Sequence, residues 1–208
     1  MAVSNDERAA LCDLFLELGP DEPTLCAGWQ TRDLAAHLVV REHRPDTAPG
    51  ILLKPFAGYT KRVQDGYAAR PWADLVEQVR AGPPVYWPTR IGMVDRLVNG
   101  VEFLTHHEDV RRGQPDWQPR DPDPARAEVA WKGLTGAGRM MFRRSPVGVS
   151  LSSVDGAEIA AKRGPNTVIV TGEPVELLLF ALGRDESRVE FTGEQAAVAA
   201  VQGLRRGL

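Results

Sequence analysis

Cysteine is scarce. Cys12 and Cys26 are the only two in 208 residues, which excludes a disulfide-stapled scaffold and fits a reducing, cytoplasmic setting. No cationic stretch followed by an apolar run opens the chain, so no secretory leader is expected. Long apolar runs are missing as well: a stretch such as Leu177 to Leu182 falls far short of the roughly 20 residues that span a bilayer, and no membrane partner is expected. There is no excess of positive charge. A net charge of −3 gives no electrostatic case for nucleic acid, and the pairs Arg111-Arg112, Arg143-Arg144 and Arg205-Arg206 read as solvated helix ends. Lysine is rare, with Lys54, Lys61, Lys132 and Lys162 the only ones among 25 basic residues, a codon-level bias that bears on no mechanism.

What is present is an ordinary globular composition, 43% hydrophobic and 25% charged, in a length that suits one large domain or two small ones. Leu11, Leu14, Phe15 and Leu18 repeat at helical spacing before Gly19-Pro20, predicting a first helix over Asn5 to Leu18. Thr31 reads as the N-cap of a second helix that ends by Pro45. Two more helices are expected over Tyr59 to Ala69 and Trp72 to Val79, the latter opened by Pro71. Thr89 then caps a long helix running to about Arg112, and a proline-rich loop leads to another from about Pro124 to Arg143.

After Ser145-Pro146 the pattern changes. Val147 to Val154 alternates apolar and polar residues, Asp155-Gly156 is a hairpin turn, and Glu158 to Lys162 pairs back as a second strand. Thr167 to Val170 and Arg188 to Phe191 read as further strands, with helices over Pro174 to Leu182 and Glu194 to Leu204. An α+β fold follows, with a helical bundle over residues 1–145 and a small α/β unit over 146–208.

The chemistry-bearing residues gather on the long helix and on helix two. A step of about 100° per residue puts Asp95, Asn99, Glu102, His106 and Asp109 on one polar stripe, with Met93, Leu97, Val101 and Leu104 on another face. Glu102 and His106, spaced i, i+4, have Cβ atoms about 6 Å apart and can chelate one ion. His37 lies between Leu34, Leu38 and Arg41 on the inward side of helix two and offers a third ligand. Three ligands leave a coordination position open for water or substrate, as catalytic sites do. His107 falls off the stripe, and His43 is expected to project into solvent. Spacing alone leaves a second reading open, in which the stripe is a solvent face and His37 is a core histidine bonded to a carbonyl.

The string Gly28-Trp29-Gln30-Thr31-Arg32-Asp33-Leu34-Ala35-Ala36-His37-Leu38, followed some 65 residues later by Glu102-x-x-x-His106-x-x-Asp109, resembles the DinB-like, mycothiol-dependent maleylpyruvate isomerase superfamily. Its tail, Val170 to Arg184, is similar to that family's small sterol-carrier-like domain. The resemblance implies a DinB-like four-helix bundle in which His37, Glu102 and His106 hold one divalent metal, zinc being expected and nickel or another ion the alternative. Where many members carry H-G-W-D after the glutamate, this chain has His106-His107-Glu108-Asp109, so the aromatic beside the site is missing and a different substrate pocket is implied. The pattern is closest to an actinobacterial branch for which fold and metal are expected and no reaction is implied.

The chemistry expected from the resemblance is a metal-activated thiolate, from mycothiol, adding to an electrophilic substrate in isomerisation or S-transfer. Asp109 could orient a ligand imidazole or the thiol, or pair with Arg111 or Arg112. Arg41 and Arg184 are candidates for holding an anionic substrate. The alternative is a non-catalytic metal-binding or stress-associated module. A homodimer is compatible with the sequence, which does not fix the oligomeric state.

Overall fold

Helical periodicity in the first half of the chain becomes helices whose apolar stripes face one another. The computed structural model describes residues 3–48, 50, 54–84 and 93–206. Among these, α1 spans Val3–Leu18, α2 Thr31–His43, α3 Lys54–Ala68, α4 Trp72–Ala81 and α5 Met93–Arg112. Thr89 and the side chains of Met93, Asp95 and Leu97 lie outside the described residues.

Leu11 and Phe15, one helical turn apart, are fully buried on α1, and Gly19 at φ +90° ends the helix by returning its N–H to the Phe15 carbonyl at 3.0 Å. Helix α2 begins at Thr31, so its cap lies one residue earlier than the sequence suggests. Gln30 is the cap, its N–H donating to the Asp33 carboxylate at 3.0 Å, because an acid at the third helical position reaches back to the cap nitrogen. Thr31 instead becomes a buried first-turn residue whose hydroxyl donates to the Gly19 carbonyl at 2.6 Å. That bond fastens the start of α2 to the end of α1. Helix α1 packs on α4 and α5, and α2 on α3 and α4, around Leu11, Phe15, Leu34, Leu38, Leu75 and Phe103.

The chain divides into two compact units, Met1–Gln118 and Pro119–Leu208. The division falls ahead of residue 145. Helix α6, Pro124–Met141, packs on the helix and strand that follow it, through a face that includes the buried Ala130, Leu134 and Met141. The change of texture at Ser145-Pro146 therefore marks a change of secondary structure, not of packing. Asp123 caps α6 by accepting the Arg126 N–H at 2.8 Å, with Pro124 at its first position.

In the second unit β1 is Val149–Ser153, β2 Glu158–Lys162, β3 Val168–Gly172 and β4 Glu190–Thr192, with α7 at Pro174–Ala181 and α8 at Gln195–Gln202. The sheet order is β2-β1-β3-β4. Strands β1 and β2 form the expected hairpin, with Gly156 at φ +90° in its turn, β1 and β3 run parallel, and β3 and β4 antiparallel. Helices and a mixed sheet make the fold α+β, as the sequence predicts.

The segment preceding α2 runs close against the end of α5. The Leu25 N–H donates to the Asp109 carbonyl at 3.0 Å, and a Cβ on Gly113 would stand 2.6 Å from the Pro23 carbonyl oxygen and 2.8 Å from Thr24 Cα. Backbone cannot swing aside as a side chain can. We expect Gly113→Ala to cost about 1–3 kcal/mol by forcing the two segments apart, read as a lower urea midpoint; an unchanged midpoint would refute the close approach.

Candidate metal centre

The inward phase of α2 and the polar stripe of α5 meet at Glu102. Its Oε1 lies 3.2 Å from His37 Nε2 and 3.3 Å from His106 Nε2, and the donor atoms of all three residues fall within 4.8 Å of one another. The two imidazoles stand edge to face with centroids 5.4 Å apart. Helical phase puts Glu102 and His106 on one face and turns His37 inward, and these are the three residues that the resemblance singles out. Side-chain exposures of 23% for His37 and 24% for Glu102 leave the group in reach of solvent, so a molecule from outside can approach it.

Neighbouring side chains orient the three residues. Asp109, fully buried, holds His106 Nδ1 at 2.9 Å, the carboxylate–imidazole arrangement that fixes the tautomer and ring angle of metal-bound histidines. Of the pairings open to Asp109 in the sequence, it makes the one to the imidazole, and Arg112 and Arg111 bond to Glu108 at 2.6 and 3.2 Å. Arg41 places Nε 3.4 Å from Glu102 Oε1 and donates from Nη1 to Asn99 Oδ1 at 2.6 Å. Trp29, of the Gly28-Trp29 string, has its ring centroid 5.2 Å from that of His37 and supplies an aromatic wall from α2's side. Arg184 belongs to the second unit, where its guanidinium donates to the Leu182 carbonyl at 2.8 Å.

The remaining histidines have other partners. His107 is buried, with Nδ1 2.7 Å from Glu7 Oε2. His43 is half-buried, not solvent-facing as expected, because its Nδ1 turns back to the Val39 carbonyl at 3.1 Å.

Cys26 is the residue that sequence reasoning missed. Its thiol donates to Asp109 Oδ2 at 3.2 Å and sits 3.8 Å from His106 Nδ1. It lies in an irregular segment where helical phase is silent, 83 residues from its carboxylate partner. Only its position two residues before Gly28-Trp29 could have drawn attention to it.

Electrostatics follow from these contacts. Burial alone would raise the pKa of Glu102, but hydrogen bonds from His106 and His37 and the charge of Arg41 hold it well below the ordinary 4.5. Burial would lower that of His106, but Asp109, Cys26 and Glu102 hold it well above 6.5. Two imidazole nitrogens and a carboxylate oxygen are a donor set suited to zinc and similar divalent ions. The donors fit an ion, on condition that it takes the place of the His106 proton and loosens Arg41 from the shared oxygen.

We expect about one divalent ion per purified chain by elemental analysis. His106→Ala should abolish it and His43→Ala leave it unchanged. His107→Ala should keep the ion yet lose about 1–3 kcal/mol of stability, since Glu7 is left buried without its imidazole; metal loss in His107→Ala equal to that in His106→Ala would refute the assignment. With the ion removed by chelator, the lowered pKa of Glu102 stabilises the fold above pH 4.5 and that contribution is lost as pH falls below it. The raised pKa of His106 stabilises the fold below pH 6.5 and is lost as pH climbs through the folded value. Melting temperature should therefore peak between the two, while metal affinity rises with pH as the His106 proton leaves. A flat melting profile would contradict both shifts.

No family model matches the chain, and no curated protein does. Among solved structures, a mycothiol-dependent maleylpyruvate isomerase carrying a histidine-to-alanine substitution superposes with a TM-score of 0.64 at 12% identity, over 92% of this chain and 91% of that one. A second structure of a mycothiol-dependent maleylpyruvate isomerase gives a TM-score of 0.59 at 13% identity over the same shares. The chain thus shares its α+β fold with those isomerases across nearly its whole length.

Proposed function

We propose that this chain binds a divalent ion, zinc in the first instance, on His37, Glu102 and His106, and uses it to activate mycothiol for isomerisation or S-transfer at an electrophilic carbon of a small substrate. The observation that carries the reading is the convergence of two imidazoles and a carboxylate from α2 and α5 within 4.8 Å, on a fold shared with mycothiol-dependent isomerases. We place its work in the cytoplasm, as the scarcity of cysteine suggests, and within the same superfamily's actinobacterial branch. No helix among the described residues is long and apolar enough to cross a membrane.

An ion held there would lower the pKa of a thiol at its open position, so that thiolate is available near neutral pH. The chain's own residues do the rest. Asp109, by accepting from His106 Nδ1 at 2.9 Å, leaves the Nε2 lone pair free for coordination. Arg41 keeps Nη2 without a hydrogen bond among the described residues, its other nitrogens serving Asn99 and Glu102, and so offers one edge to an anionic substrate. Arg184, in the second unit, is kept as a separate candidate for binding an anion.

The test uses cobalt-substituted Cys26→Ser protein titrated with mycothiol. An intense thiolate-to-metal absorption band is expected, because the protein supplies only nitrogen and oxygen ligands once Cys26 is gone. Cys12 does not compete: its thiol faces the Val76 carbonyl at 3.9 Å, and burial pushes its pKa up to about 11. No spectral change at saturating thiol, in protein shown to carry cobalt, would sink the thiol-activating reading and leave a metal-binding module.

A further inference from the structure

His106 has two ring nitrogens, and each faces a different set of donors. Nε2 belongs with His37 and Glu102; Nδ1 belongs with Asp109 and Cys26, a second group whose donor atoms also lie within 4.8 Å. The separations in that second group are 3.2 Å from Sγ to Oδ2, 3.8 Å from Sγ to Nδ1 and 2.9 Å from Nδ1 to Oδ2. The centre of such a triangle is about 2.0 Å from every corner, close to zinc–nitrogen and zinc–oxygen distances and short of the zinc–sulfur distance of about 2.3 Å. An ion slightly above its plane meets all three donors with little movement. The donors differ in kind from those of the first group, since a thiolate selects softer ions than imidazole or carboxylate does.

We propose that Cys26, His106 Nδ1 and Asp109 form a second metal position, selective for thiophilic ions such as cadmium, that excludes occupation of the His37–Glu102–His106 position. The exclusion follows from the chemistry of one neutral imidazole. An ion on Nε2 needs the ring proton on Nδ1, where Asp109 accepts it at 2.9 Å. An ion on Nδ1 needs that proton on Nε2, where Glu102 Oε1 lies at 3.3 Å. Binding at the second position releases two protons to solvent, that of the Cys26 thiol and that of His106 Nδ1, and leaves the imidazole neutral with its proton on Nε2. A soft ion would thereby withdraw His106 from the first set and disable it. The inference rests on the reading of His106 as a ligand of the first position, and it requires no activity from that position.

Cadmium chloride is the probe. Titrated into the His37→Ala/Glu102→Gln protein, it should give one ion per chain and a thiolate-to-cadmium charge-transfer band in the near ultraviolet. Adding Cys26→Ser should remove the band, and Cys12→Ser should leave it. In the unaltered protein, cadmium should slow alkylation of Cys26 by iodoacetamide, read by peptide mass, so the proposal stays testable even if the double variant folds poorly. Absence of both the band and the protection would overturn the second position, as would a band that survives Cys26→Ser. Two ions bound at once per unaltered chain would overturn the exclusion. Failure here is separable from failure of the thiol-activating reading, which is judged on the Cys26→Ser protein with mycothiol.

Discussion

A buried charge is tolerable only beside its opposite, and the helical unit buries many. An unpaired ionised group in a protein interior costs several kcal/mol, so each one constrains where its partner can be. Glu7 of α1 meets His107 of α5 at 2.7 Å; Arg8, also of α1, pairs with Glu42 of α2 and lies 4.0 Å above the Phe103 ring. His37 and Arg41 of α2 meet Glu102 of α5. These pairs join different helices, and sliding any helix by one turn would break several together. Apolar packing brings the helices into contact, and the polar pairs select one register among those packing would accept. The residues proposed to hold an ion are part of that lattice of pairs.

This explains how the sequence could be read so far and no further. Periodicity placed Glu102, His106 and Asp109 on one stripe because three and four residues bring side chains to the same face, and the inward phase of His37 followed from Leu34 and Leu38 beside it. The same periodicity could not say that the stripe is interior, since Asn99 and Asp109 look like solvent-facing residues until the fold buries them. Boundaries suffered from local ambiguity. Thr31 and Gln30 are both plausible caps, and the choice fell to Asp33, whose carboxylate reaches the Gln30 N–H. The division between units was hidden for a different reason: α6 has an apolar face that reads identically whether it packs on a bundle or on a sheet.

Cys26 shows the limit most clearly. Its place is set by the backbone of an irregular segment, by a Leu25 N–H on the Asp109 carbonyl and a Trp29 N–H on the Cys26 carbonyl at 2.9 Å, with the Thr24 hydroxyl donating to the Trp29 carbonyl at 2.9 Å. None of these bonds has a repeating signature in sequence. Gly113 contributes by what it lacks, since any Cβ there would strike the Pro23 and Thr24 backbone. A residue with no side chain thus helps bring a thiol to the imidazole.

The protonation of the site ties these strands together. Around the two carboxylates stand cationic groups: Asp109 and Glu102 hold the pKa of His106 well above 6.5, and the guanidinium of Arg41 lies beside Glu102. On the proposed reading, a metal entering such a site exchanges with a proton. Its contribution to stability is then only what mass action provides, about 2.7 kcal/mol at a free concentration one hundred times the Kd. The affinity proposed for it is set by competition with a proton, which would make ion occupancy a function of pH and place control of the proposed chemistry on the single imidazole that both candidate donor groups share.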